Sequence, residues 1–204
     1  MHSNVGAVIL AAGSGNRFGE KKQFIEFNGL PLWRHVYDLA ISVINKEDIV
    51  VVGVDINGGQ TRTESVRIGL EFLQGRNIEQ VIIIESARPL LTLAQINNII
   101  EQQGESKTFV KNLVNTVIGR DKKYYDRDKM YELLTPQAFN YKKLLEAHLN
   151  GDFVDITDDT RIMWEFHGIE PEFLETGDNL YKVTYPKDIY ILKHMANSLG
   201  VNVE

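Results

Sequence analysis

The sequence predicts an α/β domain whose mostly parallel sheet is covered by helices on both faces. A short apolar run, Val5 to Ala11, ends in a loop carrying Gly13, Gly15 and Gly19, the pattern of a buried strand feeding a glycine turn. β-Branched runs then alternate with segments of helical period, which is how strands joined by crossover helices read. The 204 residues, 43% of them apolar, match the size of one domain with a full core.

The elements follow in order. After the first strand, apolar residues recur at Trp33, Val36, Tyr37, Ala40, Val43 and Ile44 behind Pro31, a helical spacing with proline where a first turn tolerates it. Ile49 to Val54 is a second strand, Thr61 to Leu73 a second helix, Val81 to Ile84 a third strand and Leu93 to Ile100 a third helix. Between Asn115 and Leu134 the pattern weakens, and Gly119 to Asp128 is polar and charged. This stretch reads as a projecting hairpin or arm, ended by Thr135, Pro136 and Gln137. Asn140 to Leu149, Asp158 to His167 and Lys187 to Leu199 read as further helices, with Tyr181 to Thr184 a short strand before the last. No repeat, linker or low-complexity segment divides the chain, so residues 1–204 form one domain with an arm at about 115–134.

Composition removes several classes of function. With no cysteine, disulfides, thiolate metal sites and cysteine nucleophiles are excluded, which suits a reducing compartment. No apolar run reaches the roughly 18 residues of a membrane span, and Met1 to Gly6 lacks the basic start of a secretory signal. No membrane association and a cytoplasmic location are therefore expected. Lys and Arg number 22 against 28 Asp and Glu, a formal charge of −6, so no nucleic-acid partner is expected. His2, His35, His148, His167 and His194 show no metal-ligand spacing, and no protein-built metal site is assigned. Asp158 and Asp159 stand at a helix start, where carboxylates cap unpaired amides. Trp33 and Trp164 are expected in the core.

The loop from Ala11 through Ala12, Gly13, Ser14, Gly15, Asn16, Arg17 and Phe18 to Gly19 lets backbone amides approach an anion closely. Arg17, Lys21 and Lys22 add the cations that a triphosphate requires. A turn with solvated charges is the competing account of this loop alone. There is no GK[ST], and Phe18 stands where a dinucleotide fingerprint needs glycine, which disfavours a P-loop ATPase and a dehydrogenase.

This loop, with Lys22 and Gln23, resembles the start of the cytidylyltransferases that make CDP-polyols, typified by the 2-C-methyl-D-erythritol 4-phosphate and ribitol 5-phosphate enzymes. Four later segments extend the resemblance in order. Gly58 to Val66 is similar to that family's glycine pair, arginine and serine-valine at a helix start, and Glu85 to Pro89 to its aspartate-alanine-alanine-arginine-proline. Thr135-Pro136-Gln137 and Lys182-Val183-Thr184 match its threonine-proline-glutamine and late lysine-valine-threonine. The resemblance implies a Rossmann-like, GT-A-like nucleotidyltransferase fold with a projecting dimerisation arm.

It also implies an activity: transfer of CMP from CTP to a small polyol phosphate, giving a CDP-alcohol and pyrophosphate. Arg17, Lys22 and Lys182 would be the catalytic cations. Ala11, Ala12, Gly13, Gly15, Gly59, Arg62, Ser65 and Ser86 would bind the nucleotide, and Glu85, Arg88, Thr116, Arg127 and Thr135 the acceptor. Mg²⁺ would be held mainly through the phosphates of CTP. A homodimer is implied, because the family's threonine and arginine on the arm, here Thr116 and Arg127, complete a neighbour's site.

The match departs from the family in three respects. Glu85 is one methylene longer than the usual aspartate, and Asn115 replaces an aspartate before Thr116. The chain is also shorter than the family between Gly19 and Lys22, from Val54 to Gly58 and in the arm, and the second shortening leaves one sheet strand expected to be missing or displaced. Ala11 and Ala12 lean toward methylerythritol phosphate, while Glu85 and Asn115 leave another acceptor open. The rival readings are a nucleotidyltransferase of the same fold with another acceptor or nucleoside triphosphate, and a non-catalytic nucleotide-binding protein. A dinucleotide-dependent oxidoreductase is the remote one.

Overall fold

The computed structural model describes residues 2–15, 18–153 and 156–200. β1 (Val5–Leu10) opens the chain; β2 (Glu26–Phe27) and β3 (Leu30–Pro31) form a small antiparallel ladder before α1 (Leu32–Ile41). Next come β4 (Ile49–Val52), α2 (Arg62–Phe72), β5 (Gln80–Glu85), α3 (Leu93–Glu101) and β6 (Ser106–Asn112). β7 (Val117–Ile118) and β8 (Tyr124–Tyr125) pair with each other, and β9 (Tyr131–Asn140) returns to the sheet. α4 (Tyr141–Asn150), α5 (Asp159–His167), β10 (Glu172–Glu175) and α6 (Asp188–Ser198) complete it.

The central sheet has six strands in the order β10-β6-β9-β5-β1-β4. β1 is parallel to β4 and β5, β10 is parallel to β6, and β9 runs antiparallel to both its neighbours. Alternation along the strands explains why both faces are covered. Ala7, Ile9, Ile82 and Ile84 pack with Val36 and Ala40 of α1 and Ile96 and Ile99 of α3. The intervening Val8, Val81 and Ile83 pack on the other side with Val66 and Leu70 of α2, Leu144 of α4 and Met163 of α5. Several helix starts are capped by short polar side chains: Thr61 accepts from the Glu64 amide, and Thr92 and Gln95 form a reciprocal capping box.

The structure corrects three expectations. Tyr181 to Thr184 is not a strand; the segment is irregular and docks through the Val183 amide on the Ala87 carbonyl, 2.9 Å. The last strand is instead β10, whose sole buried residue, Leu174, leaves too little alternation to read. Thr135 to Gln137 does not end the arm but lies inside β9, where the register with β6 shifts between Thr108 and Phe109 and Pro136 has no ladder partner. A bulge absorbs a proline that an unbroken ladder would reject. Trp164 is 55% exposed on α5 rather than in the core.

The sheet ends at β4. The Asp55 carboxylate accepts from the outward Val51 amide at 2.8 Å, and the Gly53 amide donates to the Ile56 carbonyl at 2.7 Å. The shortened stretch thus folds into a turn against the edge, with one parallel bridge, Val52 to Ile56, in place of a further strand. At the other side the β7–β8 hairpin projects, with Val114, Ile118, Tyr124 and Tyr125 exposed. No helix among the described residues is long and apolar enough to cross a membrane.

Candidate active site

The first loop begins where β1 hands over to its neighbour: the Ala11 amide donates to the Val52 carbonyl at 2.8 Å. Buried Gln23 then donates to the Gly13 carbonyl at 3.1 Å, tying the loop to the short helix that carries Lys22. Gly15 has φ +73, and a β-carbon there would lie 1.7 Å from the Glu20 carbonyl oxygen, so the loop closes only with glycine. Phe18 and Gly19 amides both donate to its carbonyl. Arg17 lies outside the described residues.

The second loop is pressed against the first. A β-carbon on Gly58 would sit 2.1 Å from the Ala12 β-carbon, so a glycine facing an alanine sets the separation of the two loops. The Gly59 amide donates to Ser65 Oγ at 3.1 Å, and that hydroxyl donates to the Thr61 carbonyl at 2.9 Å. Ser65 therefore braces the turn at the edge of the cavity.

Charge gathers at the carboxyl end of β5. Lys182 Nζ lies 2.6 Å from Glu85 Oε2, Arg62 Nε 3.6 Å from Oε1 and Arg88 Nε 3.8 Å from Oε2. Burial by itself pushes the Glu85 carboxyl up, but Lys182, Arg88 and Arg62 outweigh it and hold the group at about 2. Arg62 also meets Asp159 Oδ2 at 2.7 Å, and Asp159 Oδ1 is 3.1 Å from His148 Nε2. Burial raises Asp159 likewise, and Arg62 with His148 brings it down to about 2. Arg88 donates to Thr135 Oγ1 at 2.9 Å and to the Leu180 carbonyl.

Lys182 is held by the backbone around it. Lys22 Nζ donates to the Val183 carbonyl at 2.7 Å across 161 positions of sequence. Asp188 accepts from the Thr184 and Tyr185 amides, both at 2.8 Å, and from the Tyr181 hydroxyl at 2.9 Å. The segment before α6 is fixed at both ends, which limits where the ammonium can go.

These parts enclose a cavity of about 590 Å³, a size suited to a small ligand. Of the residues expected from sequence, Ala12, Gly13, Lys22, Gly59, Arg62, Ser65, Glu85, Ser86 and Lys182 line it. Ala11 and Gly15 shape the loop from behind, the Ala11 amide being committed to β4. Arg88 and Lys182 border a second hollow of about 800 Å³, with Lys111, Glu132 and Tyr181 on its walls. Lys182 thus stands between the two. Thr135 is buried behind Arg88 as its acceptor. Thr116 and Arg127 are on the exposed arm and line neither hollow.

Sequence reasoning passed over Gln23 as a loop support, Thr157 as a wall of the cavity, and Asp159 and His148 behind Arg62. The adjacent Asp158 and Asp159 were the available signal, but only Asp158 caps α5, accepting from the Thr160 amide at 2.9 Å. Among the described residues no three His, Asp or Glu side chains gather as a metal site.

The family model described as IspD, 2-C-methyl-D-erythritol 4-phosphate cytidylyltransferase, matches residues 5–197. The 2-C-methyl-D-erythritol 4-phosphate cytidylyltransferase of Thermotoga neapolitana is 31% identical over 215 residues, 93% of this chain and 96% of that one. Among solved structures, the bifunctional IspDF of Campylobacter jejuni superposes with a TM-score of 0.80 at 26% identity, over 92% of this chain and 54% of that longer one. The 4-diphosphocytidyl-2C-methyl-D-erythritol synthase of Anaerococcus prevotii shares the fold, with a TM-score of 0.77 at 23% identity over 95% and 98% of the two chains.

Proposed function

Because the chain belongs to the 2-C-methyl-D-erythritol 4-phosphate cytidylyltransferase family, we propose that it transfers CMP from CTP to 2-C-methyl-D-erythritol 4-phosphate. An oxygen of the acceptor's phosphate attacks the α-phosphorus of CTP, the bond to the β-phosphate breaks, and pyrophosphate leaves with the electron pair. The observation that carries this reading is the single cavity lined both by the loop after β1 and by Lys182 near the other end of the chain. In-line phosphoryl chemistry needs cations preorganised on both sides of the reacting phosphorus more than it needs a nucleophile.

The residues divide the work. Gly13, Ser14 and the neighbouring amides face the triphosphate, with Lys22 supplying charge from that side and Arg17, outside the described residues, a further cation as the family resemblance implies. Lys182, standing between the two hollows, meets the α-phosphate from the other. Glu85 is ion-paired and held ionised, so it anchors Lys182 and Arg88 and is no general base; an ionised phosphate nucleophile requires none. Mg²⁺ supplies further charge neutralisation when bound. Among the described residues the carboxylate lining the cavity is already engaged by three cations, so the ion would be held mainly through the phosphates of CTP. Thr116 and Arg127 of a second copy's arm complete the acceptor side of a homodimer, and the enzyme works in the cytoplasm.

The test is direct. Purified protein with CTP and Mg²⁺ is offered methylerythritol phosphate, ribitol 5-phosphate and other polyol phosphates, and pyrophosphate release is followed. The expected result is release with methylerythritol phosphate above the others. Release with ribitol 5-phosphate alone would move the acceptor, and release with none would overturn the assignment.

A further inference from the structure

Asp159 is buried completely at the first turn of α5, yet it caps nothing; Asp158 beside it does that. Its two oxygens are divided between elements, Oδ1 toward His148 of α4 and Oδ2 toward Arg62, the first residue of α2. His148 Nδ1 has no hydrogen-bond partner among the described residues, so the ring's polar contact is with Asp159. Through Arg62 the chain of alternating charges continues to Glu85 and Lys182. Two neighbouring bonds lock the geometry: Thr63 Oγ1 donates to the Ile156 carbonyl at 2.7 Å, and Gln137 donates to Asp158 Oδ2 at 2.7 Å. Between those anchors Thr157 faces the cavity.

The distances are unequal in an informative way. Arg62 is 2.7 Å from Asp159 but 3.6 Å from Glu85, whereas Lys182 is 2.6 Å from Glu85. Glu85 has two cationic suitors besides Arg88, and Asp159 draws one of them off. We propose that Asp159, backed by His148, is a positioning residue for the transfer reaction, holding Arg62 short of Glu85 so that Glu85 remains the close partner of Lys182. A buried ion pair retained only for stability gains little over an apolar pair of the same shape; one that sets the aim of a cation in the cavity has a reason to persist. Without the Asp159 charge, Arg62 turns to Glu85, the other carboxylate it contacts among the described residues, against a weaker pull from Asp158, and Lys182 loses its hold there. This inference rests on the transferase reading above.

The test uses two residues that do not touch. Asp159→Asn and Glu85→Gln are each expected to lower kcat/KM for the acceptor by about 10-fold or more, while the double variant falls no more than about 3-fold below the weaker single one. Losses that multiply in the double variant would reduce Asp159 to a structural group and overturn the proposal. If Asp159→Asn gives no cooperative thermal transition, His148→Ala replaces it in the same cycle, and the same two outcomes decide. A crystal structure of the variant supplies a readout independent of turnover: the Arg62 Nε to Glu85 distance closes to about 3 Å, and an Arg62 left where it is would refute the mechanism. Absence of pyrophosphate release by the parent enzyme with every acceptor would instead sink the transferase reading, leaving the Arg62 position still to be judged.

Discussion

Glu85 and Asp159 show what individual side chains contribute. Asp159 is fully buried and Glu85 only 13% exposed, each is paired, and each sits at about 2 rather than at its ordinary 4.5 or 3.8. Because the folded values lie below the unfolded ones, the unfolded chain binds more protons in acid. The stability these groups add is complete above about pH 5 and is lost as pH falls through about 4.5 toward 2. Urea midpoints measured against pH are expected to be level near neutrality and to fall in that window. Lys182→Met removes the cation that most lowers Glu85, so the folded value moves up toward the unfolded one and the fall in acid becomes smaller; a curve superposable on the parent's would refute the pairing. The same variant is expected to lose about 100-fold or more in kcat/KM, with a thermal midpoint lowered near neutral pH because Glu85 loses its closest cation. Lys22 and Lys182 were legible because their motif spacing is distinctive. Asp159 was not, since two adjacent carboxylates at a helix start look alike until the helix is rotated onto its neighbours.

For the elements, loops and helices were easier to read than strand pairing. The Thr61 cap of α2, with the Glu64 side chain returning to the Gln60 amide at 2.7 Å, is a signature local in sequence. β10 and the bulged β9 depend on partners far along the chain, and a proline inside a strand argues locally against it. The contact between the first two loops offers a sharp test. Gly58→Ala places a methyl where Ala12 already stands, an overpacking expected to cost about 1–3 kcal/mol and to weaken CTP binding by pushing the loops apart. Isothermal titration with CTP and a urea melt separate these effects; unchanged affinity would mean the loops do not jointly form the nucleotide wall. Ile83→Ala, at a fully buried position of β5, is expected to cost about 2–5 kcal/mol in the same melts, with nucleotide affinity kept by the molecules that remain folded.

The whole molecule raises the question of assembly. Val114, Ile118, Tyr124 and Tyr125 are exposed on a hairpin that the rest of the chain leaves uncovered, and Arg127 at its base donates to the Val114 carbonyl. If arms complete each other's sites, mixing Arg127→Ala chains with Lys182→Met chains restores about a quarter of the parent activity by random exchange, since half the dimers then hold one intact site. No recovery on mixing would place the acceptor wholly within one subunit. The arm's location was visible as a break in the hydrophobic pattern, whereas any second copy that would cover it, as the proposed homodimer requires, lies outside a reading of one chain.

The turn after β4 bears on that assembly. An outermost strand with idle backbone groups is a template on which foreign strands can grow, and a protein that dispenses with a further strand inherits that hazard. Here the carboxylate of residue 55 occupies the outward amide of residue 51, a built-in stopper on the sheet's raw margin. Sticky stacking of one sheet upon the next is thereby discouraged along this margin, beside the cavity and away from the projecting hairpin.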